Sequence, residues 1–568
     1  MINLEGEYYN KLINQNNYNK SDKKCIERTV NNLMTNITSV DKPGMMLGKI
    51  QSGKTRAFTG VIGLSFDNEY DIAIILTKGT KALVQQTYER LKEEFYYFYQ
   101  EEELDIFDIM KLPDDLVQYE LEFKKIVLIV KKEKNNLARL HEALFHKYKI
   151  LGNKKVLIVD DEADYASIGF NKTKKEGIEI RTLAGQIDDI RKKLKTSSFL
   201  QVTATPYSLY LQPKSIEIKG KNKKFLPTRP AFTTLVPYGH NYVGGDIYFK
   251  DSLDYNNIAH YLFNEVKYTE LDVLKQLDRR KFKIEEVLSH DRIKTLRSAV
   301  INFLVGGSIR RLQLKKQGKN IKKQKYSFIV HTEQKKDSHS WQYKIVSELI
   351  KQLSYEAQNK TELYERLIEF SYNCLKESVE LAGFDVPLYI DLIEEVSSAL
   401  HTNIVRITKV NSEKDIEILL DDSGQLRLRT PFNIFIGGQI LDRGITIGNL
   451  IGFYYGRNPK KFQQDTVLQH SRMYGYRPKE DLAVTRFYTT GKIFNIMKKI
   501  NSFDELLRDK IKSIDDKGVV FIHKDEKNEI TPCSPNKILL SDIMTIKPYK
   551  RILPIGFNTL LFKKDMKP

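Results

Sequence analysis

The sequence predicts a multidomain α/β protein in which two parallel sheets are joined by helical insertions and followed by a C-terminal extension. Three observations predict it. A chain of 568 residues exceeds what one hydrophobic core organises, so two to four compact units are expected. Short, β-branched, continuously apolar runs recur in two separate series, as strands covered on both faces require. The longer mixed stretches between those runs can hold the crossover helices that parallel strands need.

Each element follows from this pattern. Residues 1–40 read as an N-terminal helical segment, with Leu12, Ile26, Val30 and Leu33 at roughly helical spacing ahead of the Lys42-Pro43-Gly44 break. The first α/β domain is expected over residues 41–250, with strands at Met45-Met46-Leu47, Ile72 to Leu76, Ile126 to Val130, Val156 to Val159 and Phe199 to Val202. Within it, residues 214–250 read as an irregular excursion from the sheet. Residues 251–325 are expected as a helical linker or insertion, ending in the basic run Arg310 to Lys316, read either as a track for a phosphate backbone or as a solvated face. The second series (Tyr326 to Val330, Phe432 to Ile436, Leu450 to Tyr455, Val484 to Tyr488) marks a second α/β domain over residues 326–495 with a helical insertion at about 341–400. Residues 496–568 form the C-terminal extension.

Composition narrows the class. With 41% hydrophobic and 29% charged residues the chain can bury real cores. The formal charge of +19 is either the footprint of a polyanionic partner or a bias of composition. Cys25, Cys374 and Cys533 lie far apart, which supports neither a disulfide framework nor a cysteine zinc site and fits a cytoplasmic location. The polar start and the lack of any run of about 18 apolar residues predict neither a signal peptide nor a membrane span.

Gly48 to Thr55 has the pattern G-x-x-x-x-G-K-[ST]. Its glycines let backbone N–H groups approach phosphate oxygens, Lys54 balances the β/γ charge and Thr55 ligates Mg²⁺. Gly48, Gln51, Ser52, Gly53, Lys54 and Thr55 are therefore expected to bind nucleotide. Val156-Leu157-Ile158-Val159 runs into Asp160-Asp161-Glu162-Ala163-Asp164, a buried strand delivering carboxylates at its C-terminal end. Asp160 or Asp161 is expected to hold the metal, and Glu162 to orient or deprotonate the attacking water. An arginine from a second domain should then compensate the transition state, with Arg472 and Arg477 as candidates. No carboxylate pair followed by Glu-x-Lys, and no His/Asp cluster at metal-ligand spacing, points to an intrinsic nuclease. His331 and His339 read as ordinary polar residues, and Trp341 as a helix-packing residue.

Asp161 to Asp164 resembles motif II, and Thr203-Ala204-Thr205-Pro206 motif III, of superfamily 2 helicases. Leu83-Val84-Gln85-Gln86 is similar to motif Ia, which in that family touches the nucleic-acid backbone. Gly437 to Thr446 resembles motif V, a resemblance that implies a cofactor contact at Gly444; Thr446 departs from it, standing where many members have Asp. Gln469 to Arg477 resembles motif VI, with Ser471 in place of a usual Gly and two arginines five residues apart. Taken together with Asp465-Thr466-x-x-Gln469-x-x-Arg472-x-x-Gly475-Tyr476-Arg477, these motifs resemble the Z1 domain family, helicase-like ATPases of bacterial restriction and phage-defence operons. The resemblance covers roughly residues 44–490. It implies two RecA-like P-loop domains, ATP and Mg²⁺ as cofactors, and a motor acting on DNA, with RNA left open. It also implies a partner such as a nuclease, methylase or second ATPase. An ATP-gated endonuclease and an ATP-binding scaffold with little turnover are the alternatives.

Overall fold

The computed structural model describes residues 2–534 except 39–41, 79–80, 166–169, 173–177, 181, 212–215, 218–223, 226–229, 279, 422–425, 439–446 and 514–528. Two all-parallel sheets, of seven and six strands, organise it.

The first unit begins with α1 (Glu7–Gln15) and α2 (Lys20–Thr35), whose buried Leu12, Ile26, Val30 and Leu33 pack into the same core as the helix that follows the Gly48–Gly53 loop. Then come β1 (Gly44–Leu47), α3 (Lys54–Phe66), β2 (Ile72–Thr77), α4 (Lys81–Glu94), β3 (Leu104–Asp108), β4 (Lys125–Lys131), α5 (Lys134–Glu142), β5 (Lys155–Asp161), α6 (Thr182–Lys193), β6 (Thr196–Thr203) and β7 (Phe232–Leu235). The strand order is β7-β1-β6-β5-β2-β4-β3. One strand, β6, separates β1 from β5, so the loop after β1 and the carboxylates after β5 flank it at the same sheet edge, where ligands of open α/β sheets bind. α3 is apolar nearly all round and buried from Ala57 to Phe66, because α1 and α2 cover the side it turns away from the sheet.

The second unit contains β8 (Tyr242–Val243), β9 (Phe263–Glu265), α7 (Lys294–Lys316), β10 (Tyr326–His331), α8 (Lys336–Gln358), α9 (Glu362–Leu381), α10 (Tyr389–His401), β11 (Val405–Lys409), α11 (Glu413–Leu419), β12 (Phe432–Ile436), β13 (Leu450–Tyr455), α12 (Gln464–His470), β14 (Gly475–Tyr476), β15 (Arg486–Thr489) and α13 (Gly491–Ser513). Its main sheet runs β9-β15-β13-β10-β12-β11. The short strands β8 and β14 pair antiparallel beside it.

The predicted fold class holds, and the structure differs from the sequence expectations at the edges. Part of the 214–250 excursion is β7, which pairs in parallel with β1. The 251–325 stretch is no detached linker: β9 pairs with β15, and α7 is buried along most of its length in the second core. The basic run serves neither of its expected roles at its first two positions. Arg310 pairs with Asp481 at 2.7 Å and Arg311 with Glu395 at 2.8 Å, so internal carboxylates take up both charges. Trp341 packs in that core and donates from Nε1 to the Val273 carbonyl at 2.9 Å. No helix among the described residues is long and apolar enough to cross a membrane.

Candidate nucleotide-binding site

β1 lies between β6 and β7 and feeds the loop Gly48–Gly53, after which α3 starts at Lys54. Gly48 N–H donates to the Thr203 carbonyl at 3.0 Å, tying the start of the loop to the neighbouring strand. Gly53 has φ of 89°, a left-handed conformation that favours glycine and turns the chain into the helix. A Cβ on Gly48 would stand 2.4 Å from Lys54 Cγ, so glycine is what lets the lysine stem lie across the loop. The Ser52 hydroxyl donates to the Lys49 carbonyl at 2.9 Å. Three other loop carbonyls are held from outside: Gly48 by Arg508 at 2.9 Å, Ile50 by the Tyr242 hydroxyl at 2.7 Å and Ser52 by the Tyr476 hydroxyl at 3.3 Å.

Strand parity separates the two aspartates that the sequence leaves equivalent. Leu157 and Val159 face the core containing α3, whereas Val156 and Ile158 face the opposite core. Asp161 continues the first row and Asp160 the second. Asp161 accordingly lines the loop cavity together with Lys54, Thr55 and Glu162. Asp160 is fully buried and ion-paired with Lys132 at 2.8 Å, and Lys132 also donates to the carbonyls of Asp161 and Glu162 at 2.6 and 2.9 Å. Burial, then the neighbouring Glu162 carboxylate, pushes Asp161 up to about 6. Glu162 sits at φ of 51°, strained for a non-glycine residue, and its carboxylate is 3.9 Å from Lys54 Nζ.

Motif III links this edge to the second unit. Asp164 is fully buried and accepts from the Thr203 and Thr205 hydroxyls at 2.9 and 3.0 Å. Gln469 on α12 reaches across, donating to Asp164 at 3.1 Å and to the Thr205 hydroxyl at 2.9 Å. Three residues on, Arg472 lines the loop cavity with Gln469 and Tyr476. Arg477 is placed differently: its backbone N–H donates to the Asn241 carbonyl at 3.1 Å and its guanidinium to the Tyr248 hydroxyl at 3.4 Å. Gly475, at φ of 133°, passes so close to the loop that a Cβ there would lie 2.8 Å from Gln51 Oε1. Gly444 and the rest of the motif V match from Gln439 to Thr446 lie outside the described residues.

The cavity, of about 480 Å³, has a second wall. Leu83, Gln86, Thr87 and Arg90 line it from α4, one helical face at i, i+3, i+4 and i+7. Gln86 is buried and its Nε2 has no hydrogen-bond partner. Burial lowers the Arg90 guanidinium from its ordinary value, while Asp161 opposes that shift. The opposite side of the helix, Val84, Gln85 and Glu89, lines a groove of about 1040 Å³ shared with Glu417, Leu420 and Asp421 of the second unit. Around that groove Glu89, Asp108, Glu133, Glu417 and Asp421 outnumber Lys111 and Lys131, so the motif Ia segment meets no net positive surface there.

Lys132, Arg90, Tyr242 and Arg508 were not singled out by sequence, and Gln86 only as part of the motif Ia match. Lys132 carries a readable signal, since it follows the buried run of β4 at the sheet edge where charged side chains converge. Arg90, Tyr242 and Arg508 belong to no contiguous motif. His331 is buried with neither ring nitrogen hydrogen-bonded, and burial pushes it down to about 3, with His339 and Arg457 adding to the shift. Cys25, Cys374 and Cys533 are free thiols.

The fold and this edge define a two-sheet α/β protein in which a glycine-rich loop after the first strand of one sheet and Arg472 of the other unit line one cavity. Residues 295–524 match the model of the Z1 domain. Comparison of the sequence with curated proteins gives no match. Among solved structures, 88% of the chain superposes on 53% of the DUF1998 helicase MrfA bound to DNA and AMPPNP (TM-score 0.45, 12% identity), so it spans about half the length of that protein. Likewise, 89% of the chain superposes on 97% of Dbp5 from S. cerevisiae bound to RNA and ADP BeF3 (TM-score 0.39, 14% identity). For the ATP-dependent Type ISP restriction-modification enzyme LlaBIII bound to DNA, 83% of the chain superposes on 27% of the enzyme (TM-score 0.40, 11% identity).

Proposed function

We propose that the chain is a nucleic-acid-dependent ATP hydrolase that moves along or remodels DNA, its two sheets closing on the nucleotide and reopening after hydrolysis. The convergence of the loop from Gly48 to Thr55, the carboxylates Asp161 and Glu162, and Arg472 of the second unit on one cavity carries this reading.

In it the loop amides and Lys54 bind the β- and γ-phosphates, and Lys54 exchanges its contact with Glu162 for phosphate oxygens. Thr55 and Asp161 are the residues that fit Mg²⁺, since a buried carboxylate crowded by a second one gains most from a cation, and the ion supplies neutralisation of phosphate charge when bound. Asp160, neutralised by Lys132, braces the strand rather than meeting the metal. Glu162, freed from Lys54, orients the attacking water and accepts its proton. Arg472 compensates charge growing on the transferred phosphoryl group, which is worth ~10³ to 10⁵ in rate for such arginines. Arg477, bonded to Tyr248, acts in holding the turn.

DNA as the polymer rests on the charge of +19 and on the Z1 domain, and the same resemblance supports a restriction or phage-defence setting with a nuclease, methylase or second ATPase as partner. Three free thiols suit a reducing cytoplasm. The test is ATP turnover against single- and double-stranded DNA and RNA over a range of salt, with Lys54→Ala as control. Turnover that ignores every polymer would sink the motor reading.

A further inference from the structure

Outside every motif named above, α13 of the second unit carries Asp504 and Arg508 one turn apart, joined at 2.7 Å between Arg508 Nε and Asp504 Oδ2. The other end of the guanidinium donates to two carbonyls of the first unit, Gly48 at 2.9 Å and Ala204 at 3.4 Å. The second Asp504 oxygen accepts from the Tyr207 hydroxyl at 2.8 Å, just past the Thr203-Ala204-Thr205-Pro206 turn. Asp504, Arg508, Ala204 and Tyr207 are all buried. Two charges held out of water are costly unless their hydrogen-bonding groups are used, and here the forked guanidinium bonds a carboxylate and two carbonyls at once.

The two carbonyls are not arbitrary. Gly48 begins the phosphate loop, and Ala204 stands between Thr203 and Thr205, which hold Asp164. In a trans peptide the carbonyl of one residue and the N–H of the next point in opposite directions. Outside donors at Gly48, Ile50 and Ser52 therefore turn the N–H groups of Lys49, Gln51 and Gly53 away from those donors, and Gln51 and Gly53 line the nucleotide cavity. Arg508 alone of the three donors also grips the neighbouring turn.

We propose that Arg508, braced by Asp504, is a positioning residue that locks the phosphate loop to the Thr-Ala-Thr turn, so that the second unit sets the loop's amide geometry for hydrolysis. The inference rests on the ATPase reading for its kinetic consequence but not for its structural one. Two measurements keep them apart. In Arg508→Lys and Arg508→Gln, single-turnover ATP hydrolysis should fall by about 10-fold or more, while fluorescent-nucleotide affinity stays within about 3-fold. Arg508→Lys should recover only part of the rate, because an ammonium cannot bridge two carbonyls and a carboxylate in a fork. Hydrogen exchange should rise together in peptides covering 45–55 and 200–210 and stay unchanged over β10 and β12. A folded Arg508→Lys chain with wild-type exchange in both segments overturns the clamp, as does a rate loss matched by an equal loss of nucleotide affinity. If the wild-type chain hydrolyses no ATP, the ATPase reading falls and the paired exchange measurement still decides the clamp.

Discussion

Asp164 and Gln469, 305 positions apart in the chain, share a hydrogen bond of 3.1 Å across the boundary between the two units. Asp164 already accepts from two threonine hydroxyls, so the amide completes a buried network in which each member orients another. Gln469→Ala leaves the carboxylate buried with one fewer donor. The expected outcome is a loss of about 5- to 100-fold in ATP turnover with nucleotide affinity retained. Rapid-quench hydrolysis alongside equilibrium titration checks it, and an unchanged turnover rate would remove Gln469 from the coupling.

Arg472 and Arg477 should separate cleanly. Arg472→Ala is expected to lower the single-turnover rate by ~10³-fold or more with little change in melting temperature. Arg477→Ala, losing its bond to the Tyr248 hydroxyl, should lower stability while changing the rate by no more than about 3-fold. Equal kinetic defects in the two variants would contradict the assignment.

The pair Lys132–Asp160 is the sharper structural test. Lys132→Met strands a fully buried carboxylate, a change that costs about 3–5 kcal/mol. Adding Asp160→Asn should restore part of that loss. Urea denaturation of the two single variants and the double variant measures it; a double variant as unstable as the sum of the singles would mean the two side chains do not depend on each other.

Acid should act through Asp161. Because its folded-state value is raised to about 6, the stability given by the neutral carboxyl is complete below about pH 4 and is lost as pH rises through about 6. Mg²⁺ must displace that proton, so its affinity in the presence of nucleotide should weaken about tenfold per unit as pH falls below 6. Calorimetry in buffers of differing ionisation enthalpy detects the released proton. Equal Mg²⁺ affinity on both sides of pH 6 would argue against Asp161 as the ligand.

The central strands were legible because burial on both faces leaves continuous apolar runs, as in Ile72 to Leu76 and Ile126 to Val130. The edge strands were not. Leu104–Asp108, Phe232–Leu235 and Val405–Lys409 bury at most alternate residues, and their runs are broken by polar side chains. At the site, contiguous motifs reveal the loop and the carboxylates, since their chemistry depends on neighbours in sequence. Tyr242 and Arg508 contact the loop only after the chain has crossed between sheets, 192 and 460 residues away, and no local pattern encodes such distances. The choice between Asp160 and Asp161 was not legible, because Val156 to Val159 are apolar throughout and buried on both faces, so parity places the two carboxylates on opposite faces without marking which face meets α3.

The antiparallel pairing of Tyr242–Val243 with Gly475–Tyr476 has a mechanical consequence. It stitches the segment leaving the first sheet to the turn that carries Arg472, while Tyr242 and Tyr476 each bond a carbonyl of the phosphate loop. Both paired strands move with the second unit, so an opening that withdraws Arg472 from the loop must break the Tyr242 and Tyr476 hydrogen bonds to Ile50 and Ser52 while leaving the pairing whole. The ribbon is thus a two-pronged latch on the loop, and Phe at either tyrosine would remove one prong without loosening the ribbon itself.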